Sequence, residues 1–331
     1  MSKKVFNWGV IAPGRIAHTF AKALDVIPNA NLYAVASSNK ERAQAFAQKF
    51  KCKNIYDDYQ RVIEHPHIDA IYIANPHRFH YESAKQCLLA GKPVLCEKPL
   101  TVNASQAREL VEIAQKQQVF LMEAVWTRFL PVWNQVSTWL DEKRIGDLCL
   151  LSSSFGFNVP RDESDRLLNN SLAGGALLDM GIYNLTMSQF IMQREPSSII
   201  ANGIIGETEV DERTNVNLDY DGIGSQFTCS LNTTLENNFT ILGGKGSIVI
   251  ESMFWAATKA ILRVNGKEEL VVELPFRSTG FEYQIEEVMK CISEGKLQSD
   301  VMSWKDTINT MEAMDDIRQQ IGLTYSFLDC P

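Results

Sequence analysis

Short apolar runs alternate with amphipathic segments along the first 125 residues. The apolar runs predict strands at 5–11, 32–36, 68–74, 94–96 and 119–122. The first amphipathic segment places Ile16, Phe20 and Leu24 on one face of a helix. Further helices are predicted at 77–89 and, behind an Asn103 cap, at 103–117. Strand–helix units that repeat at this length predict an α/β domain with a doubly wound parallel sheet.

Beyond Trp126 the pattern changes, and strands dominate. A helix is predicted at 128–143 and two more at 281–294 and 304–321, the last with a Ser303 cap. Strands are predicted at 148–157, 198–205, 214–220, 225–232, 239–242, 247–251, 260–264 and 268–274. Several of them alternate apolar with polar residues, as half-exposed antiparallel strands do. We therefore expect a first domain over 1–124 and a second, α+β domain over 125–331.

Composition excludes several functional classes. The net charge is −8, from 32 basic and 40 acidic residues without a basic block, which argues against nucleic acid as a partner. The seven cysteines form no Cys-x-x-Cys pair, and all five histidines lie at or before His80, so no disulfide framework or metal site is expected. The sequence has no signal-peptide core and no apolar run of bilayer-spanning length. We expect a cytoplasmic protein that binds a small molecule and no membrane.

The loop after the first strand, Ala12-Pro-Gly14-Arg-Ile-Ala17, is a candidate phosphate-binding turn. In a strand–turn–helix unit the free amides of the helix N-terminus face the phosphates. Ala12 and Ala17 stand where a full dinucleotide fingerprint has its outer glycines, and only Gly14 remains to permit close backbone approach. An ordinary strand–helix turn explains this loop equally well. The candidate cofactor residues are Ala12, Gly14, Arg15 and Ile16.

The end of the second strand bears on which nucleotide is bound. An NAD-specific site has an acidic residue here for the ribose 2′-hydroxyl, whereas this chain has Ser37, Ser38 and Asn39, followed by Arg42. Hydroxyls and a cation would accept a 2′-phosphate, so we expect NADP, with NAD also possible. Alternatively, Ser38 or Asn39 is only a helix cap, and the two interpretations are compatible.

Two later segments carry the candidate chemistry. The strand at 94–96 delivers Glu97-Lys98-Pro99 at its carboxyl end, where parallel sheets bind ligands, and a lysine there is a candidate proton donor; a solvated Glu–Lys pair is the alternative. In Gly174-Gly175-Ala-Leu-Leu-Asp179-Met-Gly-Ile-Tyr183, Asp179 and Tyr183 are four apart and share a helix face. An adjacent ammonium would lower the phenol pKa from about 10. The alternative is a core helix whose tyrosine bonds a buried acceptor.

These segments, together with Met122-Glu-Ala-Val-Trp126-Thr-Arg128-Phe129, resemble the Gfo/Idh/MocA family of NAD(P)-dependent oxidoreductases over essentially the whole chain. Tyr183, where many members have histidine, is most similar to the branch of dimeric dihydrodiol dehydrogenases and NADP-linked D-xylose dehydrogenases. The resemblance implies a Rossmann domain, a second domain with a large, mostly antiparallel open sheet that often forms a dimer interface, and a substrate cleft between the domains. It also implies hydride transfer between nicotinamide and a hydroxyl or carbonyl carbon of a sugar, cyclic diol or related substrate.

The resemblance further implies roles for individual residues. Lys98 and Tyr183 are expected to form the acid–base pair, with Asp179 orienting either the substrate or that pair. Substrate contacts are expected from Trp126, Phe157, Arg166, Asp179 and Tyr183, and further cofactor contacts from Asn75, His80, Glu97, Lys98, Trp126 and Arg128. An ion pair with Asp162 or Asp165 is an alternative role for Arg166. A catalytically inactive NAD(P)-binding sensor on the same fold is the alternative function.

Overall fold

The structure is a computed structural model that describes residues 5–328. Its described residues divide into two compact units. The first unit holds the chain up to Trp126 together with Phe276–Thr307, and the second holds Thr127–Pro275 and the residues from Ile308 onward. No helix within 5–328 has the length and apolar character that crossing a bilayer requires.

The first unit contains a six-stranded, fully parallel sheet. Its strands are β1 (Phe6–Ile11), β2 (Ala30–Ala36), β3 (Asn54–Tyr56), β4 (Ala70–Ile73), β5 (Val94–Glu97) and β6 (Leu121–Ala124). The helices between them are α1 (Arg15–Leu24), α2 (Lys40–Phe50), α3 (Tyr59–Ile63), α4 (His80–Leu89) and α5 (Ala104–Gln117). The strand order β3-β2-β1-β4-β5-β6 confirms the predicted doubly wound sheet of Rossmann type. The order reverses between β1 and β4, and such a switch point is where ligands bind.

The second unit contains an eight-stranded sheet. It comprises β7 (Leu148–Gly156), β8 (Ser198–Ile205), β9 (Asp211–Tyr220), β10 (Ile223–Ser230), β11 (Phe239–Gly243), β12 (Gly246–Ile250), β13 (Lys259–Val264) and β14 (Leu270–Glu273). The order is β14-β13-β12-β11-β7-β10-β9-β8, and only the β7–β10 pair is parallel. Its helices include α6 (Pro131–Asp141) and α7 (Ile182–Met192). All eight predicted strands are present, and the mostly antiparallel sheet is confirmed.

The segment Phe276–Thr307, with α8 (Glu282–Ser293), belongs to the first unit, although the sequence suggested one continuous second domain over 125–331. The Phe281 ring lies 4.9 Å from the Trp126 ring, between centroids. The Thr279 hydroxyl donates to the carbonyl of Thr19 at 3.3 Å. These partners are more than 150 residues away in sequence, so no local pattern could reveal them. The last helix is α9 (Trp304–Ile321), whose bounds match the prediction.

Candidate active site

The turn after β1 forms an open cradle at the start of α1. Ala12 adopts a left-handed conformation with φ 60°, which explains why glycine is usual at this place. Gly14 is the N-cap of α1, and no side chain caps the helix. A Cβ on Gly14 would meet no protein atom nearer than 3.7 Å, so packing within the chain does not demand a glycine there. An uncapped helix start beside this space fits a diphosphate bound through backbone amides.

Asn39, and not Ser38, caps α2. Its side-chain oxygen accepts the N–H of Arg42 at 2.7 Å, and its own N–H donates to the buried hydroxyl of Ser37 at 3.2 Å. The cap interpretation is therefore confirmed for Asn39. Ser38 and the Arg42 side chain stay exposed at the end of β2.

Tyr59, at the start of α3, joins Ser38 and Arg42 in a polar cluster beyond β2. Burial raises the pKa of the Tyr59 phenol, while a hydrogen bond with Ser38 and the positive charge of Arg42 oppose that rise. The sequence analysis missed Tyr59 because it did not predict β3 or α3, which are only three and five residues long. A cation, a hydroxyl and a phenol at this place could bind a phosphate on the ribose.

Glu97, at the end of β5, is buried and accepts a hydrogen bond from the Tyr72 hydroxyl of β4. The solvated Glu–Lys pair considered from the sequence is therefore wrong for Glu97. Lys98 follows directly, is half-buried, and is joined to Pro99 by a cis peptide bond. The lysine thus lies at the carboxyl edge of the sheet, as predicted.

Glu123 of β6 holds the backbone after Lys98. Its Oε1 accepts the N–H of Leu100 at 3.0 Å, and its Oε2 accepts the Thr307 hydroxyl at 2.9 Å. The side chain is 1% exposed, so these hydrogen bonds compensate a carboxylate that is costly to bury. The sequence signal was a lone carboxylate inside an apolar run, and the sequence analysis gave Glu123 no role.

His80 connects two strand ends. Its Nδ1 lies 2.7 Å from the Pro99 carbonyl and its Nε2 lies 2.7 Å from the Asn75 carbonyl, in a fully buried position. The Asn75 amide nitrogen donates to Ser83 at 2.8 Å. The Asn75 side-chain oxygen has no hydrogen-bond partner among the described residues, and a buried acceptor of this kind can serve a ligand. Cofactor contacts of both residues stay predictions.

In the second unit, the Gly-Gly segment leads into a π-helical turn at Leu177–Gly181, which continues as α7. The sequence predicted an ordinary helix here. Asp179 lies on the π turn and Tyr183 in the first turn of α7. Turns of this type occur frequently at functional sites.

Arg166 pairs with Asp179, at 2.9 Å between Nη1 and Oδ1. The suggested ion pair of Arg166 with Asp162 or Asp165, all within the described part of the chain, is not formed. Both carboxylates accept hydrogen bonds from residues two positions further along the chain. Asp162 accepts the Ser164 hydroxyl at 2.6 Å, and Asp165 accepts a backbone N–H at 2.9 Å. The charge of Asp179 is thus compensated within the second unit.

Aromatic side chains surround Tyr183, which is 7% exposed. The Phe155 ring lies 5.7 Å from the Tyr183 ring, and Trp255 stacks on Phe155 with centroids 3.6 Å apart. Phe157 is 38% exposed and lies 5.9 Å from both Phe155 and Trp255. We call Phe155, Phe157 and Trp255 the aromatic wall. The sequence analysis named Phe157 but missed Trp255, which lies in a 3₁₀ turn, Phe254–Ala256, that is too short to show hydrophobic periodicity.

The two remaining predicted residues are well packed. Trp126, in the first unit, is 8% exposed and lies against Phe281. Arg128, in the second unit, is 1% exposed and donates to the Thr186 carbonyl and to Gln189, both at 2.9 Å. Arg128 therefore anchors α7, and its role in binding the cofactor stays a prediction. No group of three or more His, Cys, Asp or Glu between residues 5 and 328 is arranged to hold a metal ion.

Comparison with known proteins identifies relatives along nearly the whole chain. Residues 6–125 match the family model described as "Oxidoreductase family, NAD-binding Rossmann fold", and residues 133–249 match the "GFO/IDH/MocA C-terminal domain". The trans-1,2-dihydrobenzene-1,2-diol dehydrogenase of Xenopus laevis is 37% identical, and that of Xenopus tropicalis 36%; each alignment covers 96% of this chain and 99% of the relative. A solved structure of a 3-ketoreductase from Actinomadura kijaniata with NADP and TDP-benzene is 25% identical at a TM-score of 0.87, covering 96% of this chain and 98% of that one.

Proposed function

Because the chain belongs to the Gfo/Idh/MocA family of NAD(P)-dependent oxidoreductases, we propose that it is a dehydrogenase of cyclic vicinal diols or related sugars. The observation that carries this proposal is the aromatic wall beside Tyr183. An apolar ring face can pack on Phe157, the exposed member of the wall, while hydroxyl groups reach the phenol. The diol dehydrogenases that are 36–37% identical to the chain act on such a ring-bearing diol by name.

Tyr183 is proposed as the acid–base group. In oxidation the Tyr183 phenolate takes the proton of the substrate hydroxyl, and in reduction the phenol returns that proton. The Lys98 ammonium is proposed to stabilise the negative charge of that phenolate. The nicotinamide of the bound cofactor supplies or accepts the hydride. Proton transfer of this kind contributes about 10²–10⁴-fold to the rate.

Asp179 is proposed to orient the substrate. Its ion pair with Arg166 fixes one oxygen at 2.9 Å, and the carboxylate has further lone pairs that can accept a hydroxyl. Arg166 then sets the direction of the carboxylate and limits where a second hydroxyl of the substrate can lie. A vicinal diol offers two hydroxyls for Tyr183 and Asp179.

NADP(H) is the proposed cofactor. The support is the cluster of Ser38, Arg42 and Tyr59 beyond β2, which offers hydroxyl donors and a guanidinium to a 2′-phosphate. Arg42→Ala is expected to weaken NADPH binding by about tenfold or more and to leave NADH binding unchanged, because NADH lacks that phosphate.

A homodimer through the second sheet is the proposed assembly. One row of cross-strand neighbours runs across all eight strands, and every member but the buried Ile261 is at least partly exposed. It consists of Ile200, Asn217, Gln226, Ser152, Thr240, Val249, Ile261 and Val271. All eight are uncharged, and Ile200 is 65% exposed. Interface cores are depleted in charge in the same way.

The test of the proposed activity is a set of initial rates with NADP⁺ and either trans-1,2-dihydrobenzene-1,2-diol or D-xylose. We expect NADPH formation with the diol, and its rate should exceed that with the sugar because only the diol presents a planar apolar face to the exposed Phe157 of the aromatic wall. NADPH binding without turnover of either compound would instead support the sensor alternative and contradict the proposal.

A further inference from the structure

Asp211 is a fully buried carboxylate that the proposed mechanism does not use. It is the first residue of β9 and is 0% exposed. Its Oδ2 accepts the Leu177 N–H at 2.8 Å and the Thr214 hydroxyl at 2.7 Å. Its Oδ1 has no hydrogen-bond partner among the described residues. Burial of such a group is costly, so its place at the start of the π turn calls for a role.

Gly175 gives the carboxylate its space. A Cβ on Gly175 would lie 2.1 Å from Asp211 Oδ1, and the backbone there has φ +118°, which side-chain-bearing residues rarely adopt. The second glycine of the Gly-Gly segment is therefore needed so that Asp211 can approach the backbone. Gly175 and Asp211 therefore act together, because the glycine leaves the space that the carboxyl group occupies.

The carboxylate acts on the first N–H groups of the helix that carries the proposed active-site residues. Leu177 begins the π turn, Asp179 lies on that turn, and Tyr183 follows in α7. The N–H of Ala176 also interacts with the carboxylate. A side-chain oxygen that accepts a backbone N–H at a helix start caps the helix and fixes which N–H is bonded first. A slip by one residue between π and α pairing would turn the following side chains by about 100° around the axis.

We propose that Asp211 is a positioning residue, which holds the Leu177 N–H and thereby sets the register at which the π turn passes into α7 and presents Asp179 and Tyr183. The expected effect on turnover rests on the proposed function, whereas the hydrogen bond of Asp211 to the Leu177 N–H does not depend on it. Loss of the carboxylate should free the first turn and let Tyr183 occupy more than one orientation. Misplacement of a catalytic group by about 1 Å can cost about 10²-fold in rate.

The first test is hydrogen–deuterium exchange of the full chain without added ligand, read in peptides that cover 175–185. Asp211→Ala should speed exchange there by about tenfold or more, because the buried hydrogen bond at the helix start is lost. The matched control is Asp219→Asn at the other end of β9, whose side chain accepts the Gly222 N–H at 3.0 Å and should leave 175–185 unchanged. Wild-type exchange in Asp211→Ala would overturn the proposal.

The second test is steady-state turnover of trans-1,2-dihydrobenzene-1,2-diol with NADP⁺. Asp211→Asn keeps one acceptor oxygen, so kcat should fall by about tenfold, and in Asp211→Ala by about 10²-fold, with KM for NADP⁺ unchanged. Thr214→Val removes only the hydroxyl that donates to Asp211 Oδ2, so kcat should also fall, but by less than in Asp211→Ala. This variant replaces Asp211→Ala in the test if Asp211→Ala does not fold. Faster exchange with unchanged kcat would reduce Asp211 to a stabilising role and overturn the proposal. An inactive wild type would refute the proposed function, while exchange would still decide whether Asp211 holds the turn.

Discussion

At the scale of single residues, Ala12 stands in a backbone conformation that suits glycine. Its φ of 60° lies in the left-handed region, which costs a side-chain-bearing residue about 1–2 kcal/mol. The N–H of Ala12 donates to the Ala36 carbonyl at 2.9 Å, and the N–H of Gly14 donates to the Ala12 carbonyl at 2.7 Å. These hydrogen bonds hold the turn in spite of the strain.

Ala12→Gly should therefore stabilise the protein by up to about 1 kcal/mol, since relief of strain exceeds the added freedom of the unfolded chain. The matched control is Ala17→Gly, at the other outer position of the loop, where the residue is helical and fully buried and glycine should destabilise by about 1 kcal/mol. Thermal unfolding of both variants measures the two effects. A lower midpoint for Ala12→Gly would contradict the assignment of strain.

Asp211 should make stability depend on pH. Burial raises its pKa to about 7, whereas an unfolded aspartate titrates near about 3.9. Between these values the native state keeps a proton that the unfolded state releases. The free energy of unfolding should therefore fall as pH rises from about 4 to about 7, by up to about 1.4 kcal/mol per pH unit, and level off above.

Asp211→Asn should remove this dependence, because an amide does not titrate. Urea unfolding of both proteins at pH 5 and pH 7.5 measures it. The titratable neighbour that faces Asp211 from β10 is Cys229, and burial raises the pKa of its thiol well above the ordinary value, outside this window. Equal changes between the two pH values in wild type and variant would refute the assignment.

At the scale of elements, sequence periodicity predicted the helices and strands whose pattern is set by residues close together in the chain. The exposed-and-buried alternation of β9, with Val216 and Leu218 inward, is visible in the sequence, and several of the eight predicted strands of the second sheet show the same alternation. The three-residue strand β3 is too short to show a period. The π turn at Leu177–Gly181 also escaped prediction, because the group that holds its first N–H, Asp211, lies 34 residues further along the chain.

Gly175→Ala should be strongly destabilising. It combines a strained φ of +118° with a Cβ 2.1 Å from Asp211 Oδ1, and we expect a loss of about 2–5 kcal/mol from the two effects. Gly244→Ala is the matched control, because nothing lies within 4 Å of its added Cβ and its φ is not in the left-handed region. Urea unfolding compares them, and similar midpoints would contradict the close approach of Asp211.

At the scale of the whole molecule, sequence motifs located Lys98 and Tyr183 on a strand end and a helix start, as the structure has them. They could not reveal the long-range partners around them: Glu123 of β6, which accepts the N–H of Leu100 after Lys98, and Arg166, which pairs with Asp179. Those contacts arise from the tertiary fold. The aromatic wall likewise depends on Thr127, whose hydroxyl donates to the Trp255 carbonyl across 128 residues of sequence at 2.7 Å.

The proposed dimer should be sensitive to charge on the second sheet. Ile200→Lys places an ammonium in the uncharged row, where an interface would bury it at high cost. Light scattering behind size exclusion should show a dimer for the wild type and a monomer for the variant. Leu89→Lys, at a leucine of the first unit that is 54% exposed, is the control and should remain dimeric. A monomeric wild type would refute the assembly.

The central claim, proton transfer by Tyr183, is tested most directly by Tyr183→Phe with kcat for the diol and the NADPH dissociation constant measured together. Tyr220→Phe is the control, since the Tyr220 hydroxyl is buried in the same unit without a hydrogen-bond partner among the described residues. The account predicts that kcat falls about 10²–10⁴-fold in Tyr183→Phe alone while NADPH binding stays as in the wild type. A Tyr183→Phe variant whose kcat stays within about twofold of the wild type would contradict it.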